Sequence, residues 1–128
     1  MIRFAVLAVL PALSAFAIEA RVVVEEEVYT YTNPNNGSGP MWSFGCTPIA
    51  RTGDHVFVSE METGEGVPRL CNTRWRLRER TSDGWKVVAE APDYKQREPT
   101  ILTTDAKERL FLYVNTSLMP PGTEYGPC

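Results

Sequence analysis

One histidine, His55, stands in 128 residues. No histidine–carboxylate cluster and no paired-cysteine spacing appears, so the sequence gives no pointer to zinc. The sequence therefore implies no metal and no cofactor. A Ser/His/Asp arrangement is missing, as is a glycine loop of the phosphate-cradling kind. Beyond the first twenty residues no apolar run approaches the roughly 20 residues of a membrane span. The net charge of −3 offers no electrostatic case for nucleic acid or for an anionic membrane. Helical periodicity is absent along the whole chain.

What is present begins with an export signal. Arg3 supplies a positive start, Phe4 to Phe16 is an apolar run holding Pro11, and Ala15-Phe16-Ala17 is a small-residue cleavage signal. A second cut site follows Ala20. Residues 1–20 read as a signal peptide, too short to remain as an anchor. The mature chain is then secreted or periplasmic and off the membrane. Its loss removes Arg3 and Glu19 together, so the net charge is unchanged. Export permits disulfides. Cys46 and Cys71 each precede a strand and are the candidate pair, which leaves Cys128 over.

The strongest pattern is a strand pair written twice. Thr47 to Arg51, a turn, and His55 to Ser59 form the first copy. Glu98 to Leu102, a longer turn over Asp105–Glu108, and Leu110 to Val114 form the second. Between them Thr73 to Arg80 alternates at period two and turns through Ser82-Asp83-Gly84 into Trp85 to Glu90. A three-residue loop there sets Leu77 opposite Ala89 and Arg76 opposite Glu90. A one-residue slip would reverse the apolar face. The β-branched run Val22 to Thr32 reads as a further strand, with Glu25-Glu26-Glu27 against water. Asn33 to Gly39 reads as a loop. A four-strand unit recurring at about fifty residues marks propeller blades. The expected fold is all-β: N-terminal blades of an incomplete β-propeller. Residues 21–45 are expected to form an N-terminal strand and loop, and residues 46–128 the first one to two blades. A closed ring needs at least about four blades. The chain is thus expected to be the N-terminal piece of a longer protein, with a small independent β-sandwich as the competing fold.

Arg97-Glu98-Pro99, leading into an apolar strand, resembles the Arg-x-Pro strand of sialidase-like propellers. Thr81, Asp83, Gly84 and Trp85 resemble a shortened Asp-box of bacterial neuraminidase (BNR) repeats. The runs Gly39 to Gly45 and Cys71 to Trp75 resemble uncharacterised exported bacterial proteins of that type. The resemblance implies an extracellular glycan or polysaccharide as partner and, in an enzyme, a glycoside hydrolase. It implies that Arg97, with Glu98 beside it, grips a carboxylate through the guanidinium fork. The tyrosine nucleophile and its glutamate partner cannot be assigned from the sequence. The alternative is a non-catalytic glycan- or protein-binding propeller module.

Trp42, in a Gly- and Pro-rich stretch, is the sugar-stacking candidate, while Trp75 and Trp85 read as packing residues. Arg74, Arg76, Arg78 and Arg80 share one strand face. They read as paired with Glu79, Glu90 or a neighbouring blade, against the competing reading of an acidic-polysaccharide surface. Glu60, Glu62 and Glu65 read as a solvated connection. Asn36-Gly37-Ser38 and Asn115-Thr116-Ser117 are glycosylation sequons.

Overall fold

The structure, a computed structural model, describes residues 19–40, 42, 47–120 and 123. Residues 1–18, most of the segment expected to be a signal peptide, and both Cys46 and Cys128 lie outside the described residues, so the expected Cys46–Cys71 pairing is not visible.

Among the described residues the protein is all-β and antiparallel. Four strands, β1 (Ile49–Thr52), β2 (His55–Thr63), β3 (Thr73–Thr81) and β4 (Gly84–Glu90), form one sheet in chain order. Two more, β5 (Ile101–Thr104) and β6 (Leu110–Tyr113), form a separate hairpin. The two copies of the repeated hairpin stay in separate sheets. Their first strands lie side by side, joined where Leu102 N donates to Thr47 O and Thr47 Oγ1 donates to Leu102 O, each at 3.0 Å.

Local chemistry accounts for the turns. Thr52 pairs with His55 across Gly53-Asp54, and Gly53 takes φ +56. A glycine at the first central position suits the primed hairpin turns that match strand twist. In the β5–β6 turn Asp105 Oδ1 accepts from the backbone N–H of Lys107 and of Arg109. The β3–β4 turn departs from the expected three-residue loop. Thr81 pairs with Gly84, so the loop is Ser82-Asp83 alone, with Gly84 at φ +104. A register shift beside Leu77/Arg78 then brings Leu77 opposite Ala89 and Arg76 opposite Glu90. The pairing is the expected one, but a bulge restores it rather than the loop.

Two expectations are corrected. Residues 22–32 form no strand. Their backbone enters no ladder; Glu26, Tyr29 and Thr32 instead hold the segment to the sheet through individual contacts. Glu60 and Glu62 do not sit in a solvated connection, because β2 runs on to Thr63. Only Glu65, beyond the strand end, is exposed as expected.

The core is small and unusually polar. Val58, Met61, Cys71 and Leu102 are its buried apolar residues. Around them Thr73 Oγ1 donates to Gln96 O at 2.6 Å, and Ser59 Oγ donates to Thr100 O at 2.7 Å. Gln96 also bridges to Thr116, so this one residue ties β3 to the chain after β6. Most of these buried polar atoms are bonded, as burial requires. The side-chain oxygen of Gln96 is buried without a hydrogen-bond partner among the described residues.

Candidate functional site

Two places collect chemistry. The first is the approach to β5. Arg97 is 42% exposed at its side chain, and its Nε donates to Asn36 O at 3.2 Å. Glu98 Oε1 is 3.8 Å from Arg97 Nε, a loose pair at the surface. The guanidinium lies over Gly37, which has φ +81 and where an added Cβ would come 3.2 Å from Arg97 Nη2. A side chain at Gly37 would thus be strained and would press on the arginine.

The loop carrying Gly37 is anchored by a buried asparagine pair. Asn36 Nδ2 donates to Asn72 Oδ1 at 2.9 Å and to Leu70 O at 3.2 Å, while Asn72 Nδ2 donates to Pro34 O at 2.9 Å. Ser38 Oγ donates to Arg97 O at 2.6 Å. Burial of Asn36 in this network closes the Asn36-Gly37-Ser38 sequon to modification in the folded chain, whereas Asn115 is exposed. Trp42 lies further along the same loop, 49% exposed, its N–H donating to Gly39 O at 2.9 Å. Arg97, Glu98 and Trp42 are therefore all surface groups, with Arg97 and Trp42 both attached to the loop of residues 33–42.

The second place is the arginine face of β3. Register puts Arg76 opposite Glu60, and Arg74 opposite Glu62. Arg78 binds Glu60 through both Nε and Nη2, and Arg74 Nε binds Glu62. Arg76 Nη2 reaches Glu62 at 2.7 Å and its Nε reaches Glu90 at 2.9 Å. Arg80 Nε pairs with Glu26 at 2.6 Å. The expected partner Glu90 is present, but Glu79 is turned to His55, 2.5 Å away. Four arginines meet four glutamates, so the face is electrically balanced. This favours the paired reading over an acidic-polysaccharide surface.

Tyr94 completes this cluster. Its hydroxyl donates to Glu62 Oε2 at 3.1 Å, and Arg74 stacks over its ring with 5.1 Å to the centroid. Burial and the bond to Glu62 push the Tyr94 phenol up. Burial alone would raise Glu62, but the hydrogen bonds from Arg74 and Tyr94 and the charge of Arg76 outweigh it and hold that carboxyl below its ordinary value. The bond to Glu62 in turn raises Arg74. The tyrosine thus keeps its proton, and its carboxylate partner is engaged by two arginines.

Trp75 pairs opposite Met61 on the other face, and Trp85 is opposite Arg80 with its Nε1 buried and lacking an acceptor among the described residues. The buried Trp85 indole N–H is not offered to a ligand. In the shortened Asp-box, Thr81 Oγ1 donates to Gly84 O at 2.8 Å and accepts from Asp83 N at 3.3 Å, so the turn closes on itself.

Sequence reasoning missed Glu60, Glu62 and Tyr94. The signal for the first two was legible: Val58, Glu60 and Glu62 continue the period-two alternation of His55 to Ser59. Tyr94 sits in a connection where no periodicity operates. Among the described residues no group of three or more His, Cys, Asp or Glu is placed to hold a metal ion.

No protein-family model, no curated protein and no solved structure matches this chain.

Proposed function

We propose that this chain is the opening part of an exported, sialidase-like β-propeller that recognises acidic extracellular glycans, with Arg97 as the carboxylate-gripping residue. The supporting observation is the contrast between arginines. Those of β3 are each paired with a glutamate, whereas Arg97 gives Nε to the backbone of Asn36, keeps only a loose 3.8 Å pair with Glu98, and has Nη2 beside Gly37. A guanidinium fork in that state suits bidentate binding of a carboxylate. The four-stranded order β1-β2-β3-β4, followed by a hairpin whose first strand adjoins β1, accords with one blade and the start of a second. Trp42, exposed on the same loop, supplies an aromatic face for a sugar ring. The signal-like start supports a secreted or periplasmic location.

Binding is favoured over turnover by Tyr94, whose raised phenol, bonded to a Glu62 already paired with Arg74 and Arg76, is the reverse of an activated nucleophile. The test is a glycan array with sialic-acid-terminated and uronic-acid-containing probes, read for the native chain and for Arg97→Ala. Loss of a bidentate charge-assisted contact should weaken acidic-glycan binding by at least about tenfold. Equal binding by the variant removes Arg97 from the site. Release of free sugar from the array, abolished in Tyr94→Phe, would favour the hydrolase instead.

A further inference from the structure

A cleft of about 230 Å³ opens between the N-terminal segment and the arginine face, away from Arg97. We propose that it is a binding site for a neutral pyranose, the non-acidic unit of a saccharide. The proposal does not rest on Arg97 or on the propeller reading.

The argument starts from charge. Glu60 and Glu62 line the cleft together with Arg76 and Arg78. These groups are already paired with one another and with Arg74 and Glu90, so an acidic or basic ligand gains no net attraction and would upset the balance. A neutral polyol meets no such penalty. Its hydroxyls donate and accept at once, which is what a lattice of paired ions can still use. Glu62 Oε1 holds a hydrogen bond from Arg76 Nη2 at 2.7 Å and retains lone-pair capacity. A carboxylate offers about four acceptor positions and a guanidinium five donors, and the cross-strand pairs leave some of each unspent. Vicinal hydroxyls spaced for one carboxylate and one guanidinium are the feature a pyranose presents.

The opposite wall supplies the rest. Thr30, Thr63 and Tyr31 line this side, and Tyr31, 51% exposed, is its aromatic residue. Sugar rings have a C–H face that packs on such a ring while their edges hydrogen-bond. The wall is fixed, since Thr63 Oγ1 donates to Thr32 O at 2.5 Å and Tyr29, just before it, is half-buried beside Glu60 and Met61. A pre-formed polar cleft with one aromatic wall lowers the ordering cost of binding. The volume is below the range typical of drug-sized ligands, about 300–1,000 Å³, and suits a single ring.

The test uses the full chain and calorimetric or NMR titration with methyl glucoside, methyl galactoside and methyl mannoside. At least one should bind at millimolar concentration. Its affinity should be the same at about 50 mM and about 500 mM NaCl, because no net charge is neutralised. Tyr31→Ala should weaken it about tenfold, and Tyr31→Phe should restore it, because the ring and not the hydroxyl is used. Tyr31 is exposed, so both variants should unfold at the native temperature. No binding by any of the three glycosides overturns the proposal. So does binding that Tyr31→Ala leaves intact, or binding matched by glycerol. Preference for methyl glucuronoside with strong salt dependence also overturns it and points back to Arg97. A failure of acidic glycans to bind at Arg97 leaves this result untouched, because these probes carry no charge.

Discussion

At the scale of single residues, Tyr29 shows how burial and charge combine. Burial first, and the neighbouring Glu60 carboxylate second, push its phenol from 10.0 up to about 12, against an opposing hydrogen bond from the Met61 backbone. The sign follows directly. A group with a raised folded pKa contributes stability that is complete below its unfolded value and is lost as pH rises through the folded value. The window here is pH 10 to 12. An absorbance titration of the phenolate band should show a late step near pH 12 that Tyr29→Phe removes. Complete titration of the native chain near pH 10 would contradict the burial of this side chain. Glu60 carries the complementary lesson. It is only 3% exposed, and Arg78 grips both its oxygens. Glu60→Ala leaves Arg78 without its partner inside the sheet and should cost about 3 kcal/mol in denaturant unfolding. Wild-type stability in that variant would mean the pair is solvated in solution.

At the scale of the element, β3 works as the spine of an ion ladder across three strands. Its alternation of arginine with Trp75 and Leu77 turns every second side chain to one face, and β2 and β4 answer with glutamates. Glu62 sets the acid limit of this ladder. Its folded carboxyl titrates below the ordinary 4.5, so its contribution is complete above that pH and is lost as pH falls beneath it. Thermal unfolding followed from pH 6 downward should therefore show a steepening loss of stability below about 4.5 that is shallower in Glu62→Gln. An identical acid limb in the variant would reject the assignment. The strands themselves were readable beforehand because period-two alternation and Gly-containing turns operate locally. The end of β2 was missed although Glu60 and Glu62 continue its alternation, because glutamates beside glycines read as solvated until their arginine partners are placed opposite them. Residues 22–32 show the reverse case. Their β-branched composition is strand-like, but a strand forms only where a neighbouring edge accepts its hydrogen bonds, and here the segment is held by side chains instead.

For the whole molecule, the balance between core and edge matters most. Few apolar residues are buried, while Ile49, Val88, Phe111 and Tyr113 are exposed on strands. The last strand of the larger sheet, β4, has no further strand on its outer edge among the described residues, with Val88 at its register shift. Exposed, apolar strand edges seek further strands. The chain of residues 21–128 should therefore associate with rising concentration in sedimentation velocity, and Val88→Lys should reduce that association. A monomer at every concentration would show that these edges are protected. If the propeller reading holds, reading the gene past codon 128 should reveal further four-strand units, whose absence would end that reading.

Composition and alternation by themselves determined the all-β class and the three hairpins, because each depends on neighbours close in sequence. The pairing of Leu77 with Ala89 was expected from a three-residue loop but is reached through a bulge. The resemblance to an Arg-x-Pro strand singled out Arg97 and Glu98, and loop composition singled out Trp42, as residue types and not as a site. Only the tertiary structure decided that Glu60 is buried, that Tyr94 meets Glu62, and that Asn36 reaches Asn72 beneath Arg97. Those contacts join segments far apart along the chain. A charged or polar residue reads as solvated until the partner that compensates its burial is known.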